Sequence, residues 1–336
     1  MSEPIQRLAA DTQALRAALE ELTRTVAAID LAAQRSDEQA VLNAVALAGP
    51  GLRWPEPPET LAGNPTDLDG VWRQVGQLAA AVESLARLTV PIWKSHAELQ
   101  RAGEVQRRLI PPREVSIPGA TVHSWWQPAE ACGGDWWFAE RLSDDRGLVA
   151  IGDVTGHGAP AALITAIVRG ACDVARMGMR AQLQPSQLLR MLNRAIVEAA
   201  DHDFMSTSIA VATERRGVTL ANAGHRSPLL LSRGQWHLVQ GDREPPLGSQ
   251  AVTAYGDLEV PVSAGDRLVL FTDGVPEAEN AQGQQLGEKV IRQVCEQRKG
   301  DPTGAPLRDR LEQLVTDHYR PLRPRDDVTV LVIDIG

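Results

Sequence analysis

The sequence predicts an α+β fold that is preceded by a helical extension. In roughly the first 110 residues, apolar positions recur at steps of three and four, which is typical of helices that pack along a seam. Beyond Pro111, short apolar runs typical of strands are interspersed with helical segments. We therefore divide the chain into a helical region, residues 1–110, and a mixed sheet-and-helix domain, residues 111–336.

Composition excludes several classes of protein. The three cysteines, Cys132, Cys172 and Cys295, are odd in number and lack CxxC spacing, so neither a disulfide framework nor a thiolate zinc site is expected. A formal charge of −9 disfavours nucleic acid as a partner. No signal-peptide core and no run of about 18 apolar residues is evident, so we expect a cytoplasmic protein without membrane insertion.

The N-terminal region predicts three helices. The first covers about residues 4–33, and the second, about 37–48, opens with a capping box formed by Ser36 and Gln39. Residues 49–67 contain five prolines and predict a linker. The third helical segment covers about 68–110.

The third segment carries the clearest seam. Its main row is Val71, Leu78, Leu85, Ile92 and Leu99, each seven residues apart. Pro91 interrupts the helix, so we expect a kink or break near Thr89. The seams fit a dimeric coiled coil and an intramolecular antiparallel bundle equally well. We expect a regulatory and dimerising module, with a homodimer as the working hypothesis.

A glycine-rich turn, residues 152–158, organises the second domain. It follows the apolar strand Gly147–Ile151 and precedes the predicted helix Ala161–Met177, with Pro160 in the first turn. Asp153 therefore lies at the end of a strand. Taken alone, this carboxylate fits a helix cap and a ligand for an ion equally well.

The remaining elements are short and mixed. Further strands are predicted at Ala120–Trp126, Trp136–Arg141, Ser206–Ala212, Gly217–Ala221, Pro228–Leu231, Trp236–Val239, Arg267–Phe271 and Val328–Ile333, and further helices at Pro185–Ala200, Gly287–Arg298 and Pro306–Tyr319.

Four aspartates share one local context, a turn beside an apolar or aromatic strand. They are Asp135, Asp153, Asp273 and Asp326. Singly, each is typical of a turn or a cap. Together they indicate a site for hard divalent cations such as Mn²⁺ or Mg²⁺, which prefer oxygen ligands.

Five motifs occur in order: GGDWW, GDVTGHG, NAGH, FTDGVPEA and DDVTVLVI. This succession resembles the metal-dependent type 2C protein serine/threonine phosphatases (PPM), and among them the bacterial SpoIIE-type branch. The resemblance covers about residues 98–336. It implies a two-sheet β-sandwich flanked by helices.

The resemblance also implies a centre with two Mn²⁺ or Mg²⁺ ions. Asp153 would bridge the ions, and the backbone carbonyl of Val154 would add a ligand to one of them. Asp135 would serve that same ion, partly through water, while Asp273 and Asp326 would serve the other. Such a centre needs no side-chain nucleophile, because a water activated between the ions attacks phosphorus.

Several neighbouring residues have two interpretations. His157 could orient water or protonate the leaving group, or it could hydrogen-bond within its turn. Asn222 and His225 lie near the ions by resemblance, although the same residues form an ordinary turn. Asp327 replaces an Asn frequent in the wider family and is expected behind the ligands. Arg226 stands where the branch often carries other residues, which leaves phosphate recognition open.

By resemblance, the expected activity is removal of phosphate from phosphoserine or phosphothreonine in a STAS-domain anti-anti-sigma protein of a partner-switching pathway. A regulatory protein could bind the N-terminal helices. The alternative is a pseudophosphatase that acts as an adaptor through the same fold. A phosphodiesterase acting on nucleotides is a third hypothesis. The GGD string alone would suggest a diguanylate cyclase, but Trp136 stands where that motif has Glu.

Overall fold

The computed structural model describes residues 98–336, apart from 201, 215, 216 and 243. Its first element is helix α1, residues 98–109. Residues Leu99–Gly336 form one compact unit. The helices predicted at about 4–33 and 37–48, the linker 49–67 and the third segment up to residue 97 lie outside the described residues. Their arrangement, and a domain boundary at residue 110, therefore stay predictions.

Eleven strands of the described chain form two antiparallel sheets. The six-stranded sheet has the order β1-β2-β11-β10-β7-β8, and the five-stranded sheet the order β3-β4-β5-β6-β9. The first contains β1 Glu114–Ile117, β2 Ala120–Gln127, β7 Leu229–Ser232, β8 Gln235–Leu238, β10 Arg267–Phe271 and β11 Val328–Ile335. The second contains β3 Asp135–Arg141, β4 Arg146–Val154, β5 Ser206–Glu214, β6 Gly217–Ala223 and β9 Leu258–Val260.

The inner faces of the two sheets pack against each other. Side chains alternate between the faces of a strand, and in β3 this sends Trp137 and Ala139 into a core shared with Leu268 and Leu270 of β10. Phe138 points to the other side, into a cluster with helices. The predicted two-sheet sandwich is thus confirmed.

Two pairs of helices cover the outer faces. Helices α2 Gly158–Met179 and α3 Pro185–Ala200 pack on the five-stranded sheet, with a short 3₁₀ turn, Arg180–Gln182, after α2. Helices α4 Glu288–Gln297 and α5 Ala305–Tyr319 pack on the six-stranded sheet. The result is a four-layer arrangement of helices, sheet, sheet and helices.

Most predicted strands and helices are confirmed with shifts of a few residues at their ends. The strand predicted at Gly147–Ile151 extends to Val154, so Asp153 lies inside β4 rather than after it. Two strands were missed, β1 and β9. Both are short edge strands of their sheets, and each carries only two apolar side chains.

Helix α2 is more apolar than the sequence analysis expected. Among the described residues, 158–182 form one helical segment that is long and apolar enough to cross a bilayer by length and composition alone, although charged residues interrupt it and 39% of its most apolar stretch is buried in the domain. One side of α2 belongs to the domain core through Ile164, Val168 and Cys172. The opposite side leaves four large apolar side chains exposed, namely Leu163, Ile167, Val174 and Met177.

Candidate metal centre

Two of the predicted site aspartates face each other across a strand pair. Asp135, the first residue of β3, is paired in register with Asp153, near the end of β4. The backbone N–H of Val154 donates to the carbonyl of Gly134 at 3.2 Å, which continues the pairing beyond Asp135. The register therefore places both carboxylates at one end of the five-stranded sheet.

The other two aspartates come from the six-stranded sheet. Asp273 lies two residues after the end of β10, and Asp326 lies two residues before the start of β11. The neighbouring strands β10 and β11 are antiparallel, so the end of one lies beside the start of the other. The N–H of Thr272 donates to the carbonyl of Thr329 at 3.1 Å and ties the two segments together.

Hydrogen bonds to Asp135 join the two sheets. Oδ2 of Asp135 accepts from the hydroxyls of Thr272 at 2.8 Å and Thr329 at 2.6 Å. The residue is 1% exposed, and Oδ1, the other carboxylate oxygen, is buried without a hydrogen-bond partner. A buried oxygen of this kind is costly unless a proton or a cation meets it.

The carboxylates of the site repel each other when ionised, and this repulsion raises pKa values within the site. The pKa of Asp135 is raised well above its usual value, first by burial and then by Asp153 and Asp327. Burial, followed by repulsion from Asp273 and Asp326, raises the pKa of Asp153 to about 8. Such shifts are typical of carboxylates that share one site.

Asp326 shows the same effect more weakly. The residue is exposed as a whole, but its carboxyl has lost part of its water, and the pKa is raised to about 6. Desolvation is the main cause. The N–H of Asp327 opposes it by donating to the Asp326 carboxylate at 2.8 Å.

Asp327 organises the loop that leads into Asp135. Its buried carboxylate accepts hydrogen bonds from the backbone N–H groups of Ala129 at 2.7 Å, Gly134 at 2.5 Å and Asp135 at 3.3 Å. Three donors on one carboxylate hold the loop against the start of β11. Asp327 thus lies behind the candidate ligands, and its contacts are to the backbone.

The glycines of the motifs permit close backbone approach. A Cβ on Gly134 would lie 2.5 Å from the carbonyl oxygen of Val154, the predicted backbone ligand. A Cβ on Gly274 would collide with the carbonyl of Asp327. Only glycine therefore fits at these two positions without a shift of the site's backbone.

His157 lies at the start of α2 on the exposed side of the glycine turn. Its Nδ1 is 3.3 Å from Oε1 of Glu130, and both side chains are more than half exposed. It occupies the position before the helix without a capping hydrogen bond from its side chain. The structure thus places His157 in a surface contact with Glu130, and its predicted role in proton transfer stays a prediction.

Asn222 and His225 form a closed turn beside Asp273. The Asn222 side chain donates to the carbonyl of His225 at 3.0 Å and accepts its N–H at 2.8 Å. The imidazole Nδ1 lies 2.9 Å from the carbonyl of Arg226, while Nε2 is buried without a partner. Burial lowers the pKa of His225 to about 4, so the ring is neutral near pH 7. The Asn222 amide is thereby engaged with backbone.

A cavity of about 300 Å³ opens at this turn. It is lined by Thr207, Gly224, His225, Arg226, Phe271, Thr272 and Asp273. It therefore adjoins the candidate ligand Asp273 and is large enough for a small polar group.

The structure brings Asp135, Asp153, Asp273 and Asp326 into electrostatic contact at one end of the sandwich. Among the described residues, however, no three acidic, histidine or cysteine side chains are arranged as a ready ligand cluster. The predicted two-ion centre therefore stays a proposal, supported by the chemistry of the donors.

Sequence analysis missed two groups of residues that shape the site. One is the pair Thr272 and Thr329, which lie inside the motifs FTDG and DDVTV. The other is Gln106 of α1, which exchanges hydrogen bonds with the backbone of Gly133 at 2.6 and 3.0 Å and donates to Thr165 at 2.9 Å. Nothing in the sequence singles out Gln106, because its partners lie 27 and 59 residues away in the chain.

Comparison with known families agrees with this geometry. Residues 143–336, more than half of the chain, match the family described as Stage II sporulation protein E (SpoIIE). The chain belongs to the SpoIIE family. The matched region contains Asp153, Asp273 and Asp326, whereas Asp135 precedes it.

Two curated relatives come from Bacillus subtilis. The phosphoserine phosphatase RsbU is 27% identical over 192 residues, which are 56% of this chain and 56% of RsbU. The phosphoserine phosphatase RsbP is 24% identical over 185 residues, which are 53% of this chain and 45% of RsbP. The match therefore spans about half the length of these SpoIIE-family relatives.

Solved structures share the fold of this SpoIIE-family chain. The SiaA-PP2C domain of Pseudomonas aeruginosa matches with a TM-score of 0.62 and 22% identity, over 72% of this chain and 98% of that domain. The RsbU and RsbW domains of Rv1364c from Mycobacterium tuberculosis match with a TM-score of 0.53 and 26% identity, over 66% of this chain and 62% of that chain. The type 2C phosphatase fold is thereby shown.

Proposed function

We propose that this protein is a metal-dependent phosphatase that removes phosphate from phosphoserine or phosphothreonine in a protein. One observation carries the proposal. Two sheets bring four aspartates together, and the pKa of Asp135, Asp153 and Asp326 is raised by burial and mutual repulsion. Carboxylates in this state gain stability when divalent cations neutralise them.

The donor set fits Mn²⁺ or Mg²⁺. All side-chain donors are carboxylate oxygens, and Oδ1 of Asp135 is buried and unpaired. We assign Asp153 to the shared position between two ions, with Asp135 and the Val154 carbonyl on one side and Asp273 and Asp326 on the other. Bound cations would supply a Lewis acid that activates water and neutralises phosphoryl charge.

The protein's own residues would orient this chemistry. Thr272 and Thr329 donate to Oδ2 of Asp135, which leaves the buried Oδ1 as an acceptor without a partner. Asp327 fixes the loop before Asp135 through three backbone N–H groups. The neutral His225, whose Nε2 is unpaired, can accept a hydrogen bond from a group that enters the cavity beside Asp273.

The names of the relatives and the motifs of this sequence support a proposal for the substrate class. RsbU and RsbP of Bacillus subtilis are named phosphoserine phosphatases. The motif resemblance points more narrowly to a phosphorylated STAS-domain protein in a partner-switching pathway. We propose this class as the substrate and the cytoplasm as the place of action.

We further propose that residues 1–110 form the regulatory module, that they make the protein a homodimer and that a regulatory protein binds there. The support is the seam at Val71, Leu78 and Leu85 in the sequence. Sedimentation of the full chain should give a dimer, and Leu78→Glu with Leu85→Glu should give a monomer. A wild-type monomer would favour the intramolecular bundle.

One observation favours the adaptor alternative. Among the described residues, no three candidate ligands form a ready cluster, as they would in a preformed site. An adaptor would bind the phosphoprotein with equal affinity whether or not the aspartates are intact, and it would release no phosphate.

The decisive experiment measures phosphate release from a phosphoserine STAS-domain protein with Mn²⁺, with and without chelator. Wild type is compared with Asp153→Asn and Asp273→Asn. The matched control is Asp309→Asn, an exposed aspartate on α5. We expect chelator-sensitive release that falls by orders of magnitude in the two site variants and is unchanged in the control.

Phosphate release that persists in chelator, or that survives both site substitutions, would contradict the metal-dependent mechanism. Binding without release under any metal would support the adaptor instead.

A further inference from the structure

A second cavity adjoins the one beside Asp273. It measures about 210 Å³, and its apolar walls are Leu229 of β7, Leu238 of β8 and Phe271 of β10. The two cavities share Arg226 and Phe271 as lining residues. They are therefore neighbouring cavities with a common wall, and Leu238 of the edge strand β8 lines the second one.

The second cavity is lined by charges of both signs. Its charged lining residues are Arg226, Arg292 and Glu288, and Glu277 adds a second carboxylate through its hydrogen bond with Arg226. With two cations and two anions at the cavity, its suitability for an anionic group depends on the arginine that is less tightly paired.

Arg226 is held by two carboxylates in the structure. Its Nη1 donates to Glu288 at 2.7 Å and its Nη2 donates to Glu277 at 2.9 Å. Arg292 lies only at ion-pair distance from Glu288, 3.7 Å, and is about half exposed. Arg292 is thus the cation of this cavity that an incoming carboxylate can meet without first displacing a short hydrogen bond.

We propose that this second cavity, a flanking-residue pocket, binds an acidic side chain of the phosphoprotein that lies two residues from the phosphorylated residue. The inference rests on the proposed phosphatase function and deepens it. Arg292 forms the ion pair with the acidic side chain, whose methylene groups lie against Leu238 and Phe271. Arg226, kept in place by Glu277 and Glu288, separates this pocket from the phosphorylated residue.

The geometry of an extended peptide supports this division. Side chains two residues apart lie on the same face of an extended chain, about 6.6 Å apart. We assign the phosphorylated side chain to the cavity beside Asp273 and the acidic one to the neighbouring cavity beside Arg292. The second cavity lies beside the exposed edge strand β8, whose last residue, Leu238, is partly exposed. A peptide segment can therefore approach the cavity from this side.

The test uses pairs of synthetic phosphoserine peptides that differ at one position only, which carries Glu in one peptide and Gln in the other. The varied position is placed in turn one and two residues before and after the phosphoserine. The measured quantity is the ratio of kcat/KM for the Glu peptide to that for the Gln peptide, with Mn²⁺. For wild type we expect a ratio of about fivefold at one position, falling as ionic strength rises. Arg292→Gln should bring the ratio to about one, and Arg292→Lys should retain part of it.

Arg310→Gln is the matched control, because Arg310 is a partly exposed arginine on α5 that lies outside both cavities. It should keep the wild-type ratio. Fluorescence anisotropy should be used to measure the binding affinity of fluorescent versions of the two peptides. The Glu peptide should bind more tightly, which would show that the preference arises in binding.

The outcomes distinguish a failure of the proposed pocket from a failure of the proposed phosphatase function. The proposed flanking-residue pocket is overturned if the wild-type ratio is near one at every position, or if the preference for Glu survives Arg292→Gln. Either result leaves the proposed phosphatase function standing. No release from any peptide and none from p-nitrophenyl phosphate under Mn²⁺ overturns the proposed function, and this inference falls with it.

Discussion

The hydroxyl of Thr329 donates a 2.6 Å hydrogen bond to Oδ2 of Asp135, a residue 194 positions earlier in the chain. Thr329 belongs to the six-stranded sheet and Asp135 to the five-stranded sheet. The orientation of a candidate metal ligand in one sheet therefore depends on a side chain from the other sheet.

Replacing Thr329 by Val should impair cation binding more than folding. The substitution nearly preserves shape but removes one of two hydroxyl donors to Asp135, which frees the carboxylate to turn. We expect phosphate release to fall by about tenfold, with a shift of the Mn²⁺ titration to higher concentration. The free energy of unfolding should fall by about 1 kcal/mol.

The matched control for Thr329 is Thr213→Val. Thr213 is also buried in a strand, but its hydroxyl donates to the backbone carbonyl of Pro118 at 2.8 Å. A similar loss of stability with unchanged Mn²⁺ titration is expected there. Equal Mn²⁺ titrations for both variants would refute a special role for Thr329.

Adding one methyl group at Gly134 should disable the site. A Cβ there would lie 2.5 Å from the Val154 carbonyl, so the loop must move away from β4. Gly134→Ala should lose most phosphate release and bind Mn²⁺ weakly in calorimetry. Gly170→Ala serves as control, because nothing lies within 4 Å of its Cβ and alanine should stabilise α2 by about 0.5–1 kcal/mol. Full activity in Gly134→Ala would contradict the close approach described.

Gln106 should act as a positioning residue. Its amide makes two hydrogen bonds to the backbone of Gly133, two residues before Asp135, and one to Thr165 of α2. Gln106→Ala leaves the Gly133 backbone N–H and carbonyl without partners, so we expect the loop to loosen and the Mn²⁺ requirement to rise several-fold. The exposed neighbour on the same helix, Gln100→Ala, should behave as wild type. If both variants need the same Mn²⁺ concentration as wild type, α1 does not position the loop.

The raised pKa of Asp153 predicts how stability depends on pH without metal. The pKa is about 8 in the folded protein against a usual 3.8, so folding takes up a proton between these values. The contribution to stability is therefore present at low pH and is lost as the pH rises through about 8. In chelator, the Tm of wild type should fall relative to Asp153→Asn as the pH rises from about 4 to about 8, and the difference should then level off.

Added Mn²⁺ should reverse this trend, because the deprotonated carboxylates are the form that binds cations. The gain in Tm on adding Mn²⁺ should be larger at the higher pH. A wild-type protein that gains stability toward alkaline pH in chelator, compared with the Asn variant, would disprove the raised pKa.

The sequence carried enough information for the sandwich and for the four aspartates. Short apolar runs predicted the central strands, and the resemblance of the motifs implied the two-sheet sandwich. A common local context, a turn beside a strand, pointed to Asp135, Asp153, Asp273 and Asp326. The edge strands β1 and β9 were not predicted, because their sequences, EVSI and LEV, carry few apolar residues and form strands through pairing with a neighbouring strand.

The supporting residues of the site could not be predicted in the same way. Thr329 and Gln106 act through contacts with residues far away in the chain, at sequence separations of 194 and 27. Such contacts leave no local periodicity. The surroundings of Arg226 likewise depend on Glu277 and Glu288, which follow more than 50 residues later.

The placement of β11 has a consequence for biosynthesis. Although β11 is the last of the described strands in chain order, it lies in the middle of its sheet, between β2 and β10, and it carries Thr329 two residues after Asp327. While residues 326–335 are unsynthesised or still inside the ribosome, the rest of the domain lacks this strand, one of the two hydroxyl donors to Asp135 and one candidate ligand. The candidate site should therefore be incomplete in a partly synthesised chain, and it can assemble only when the whole domain has left the exit tunnel.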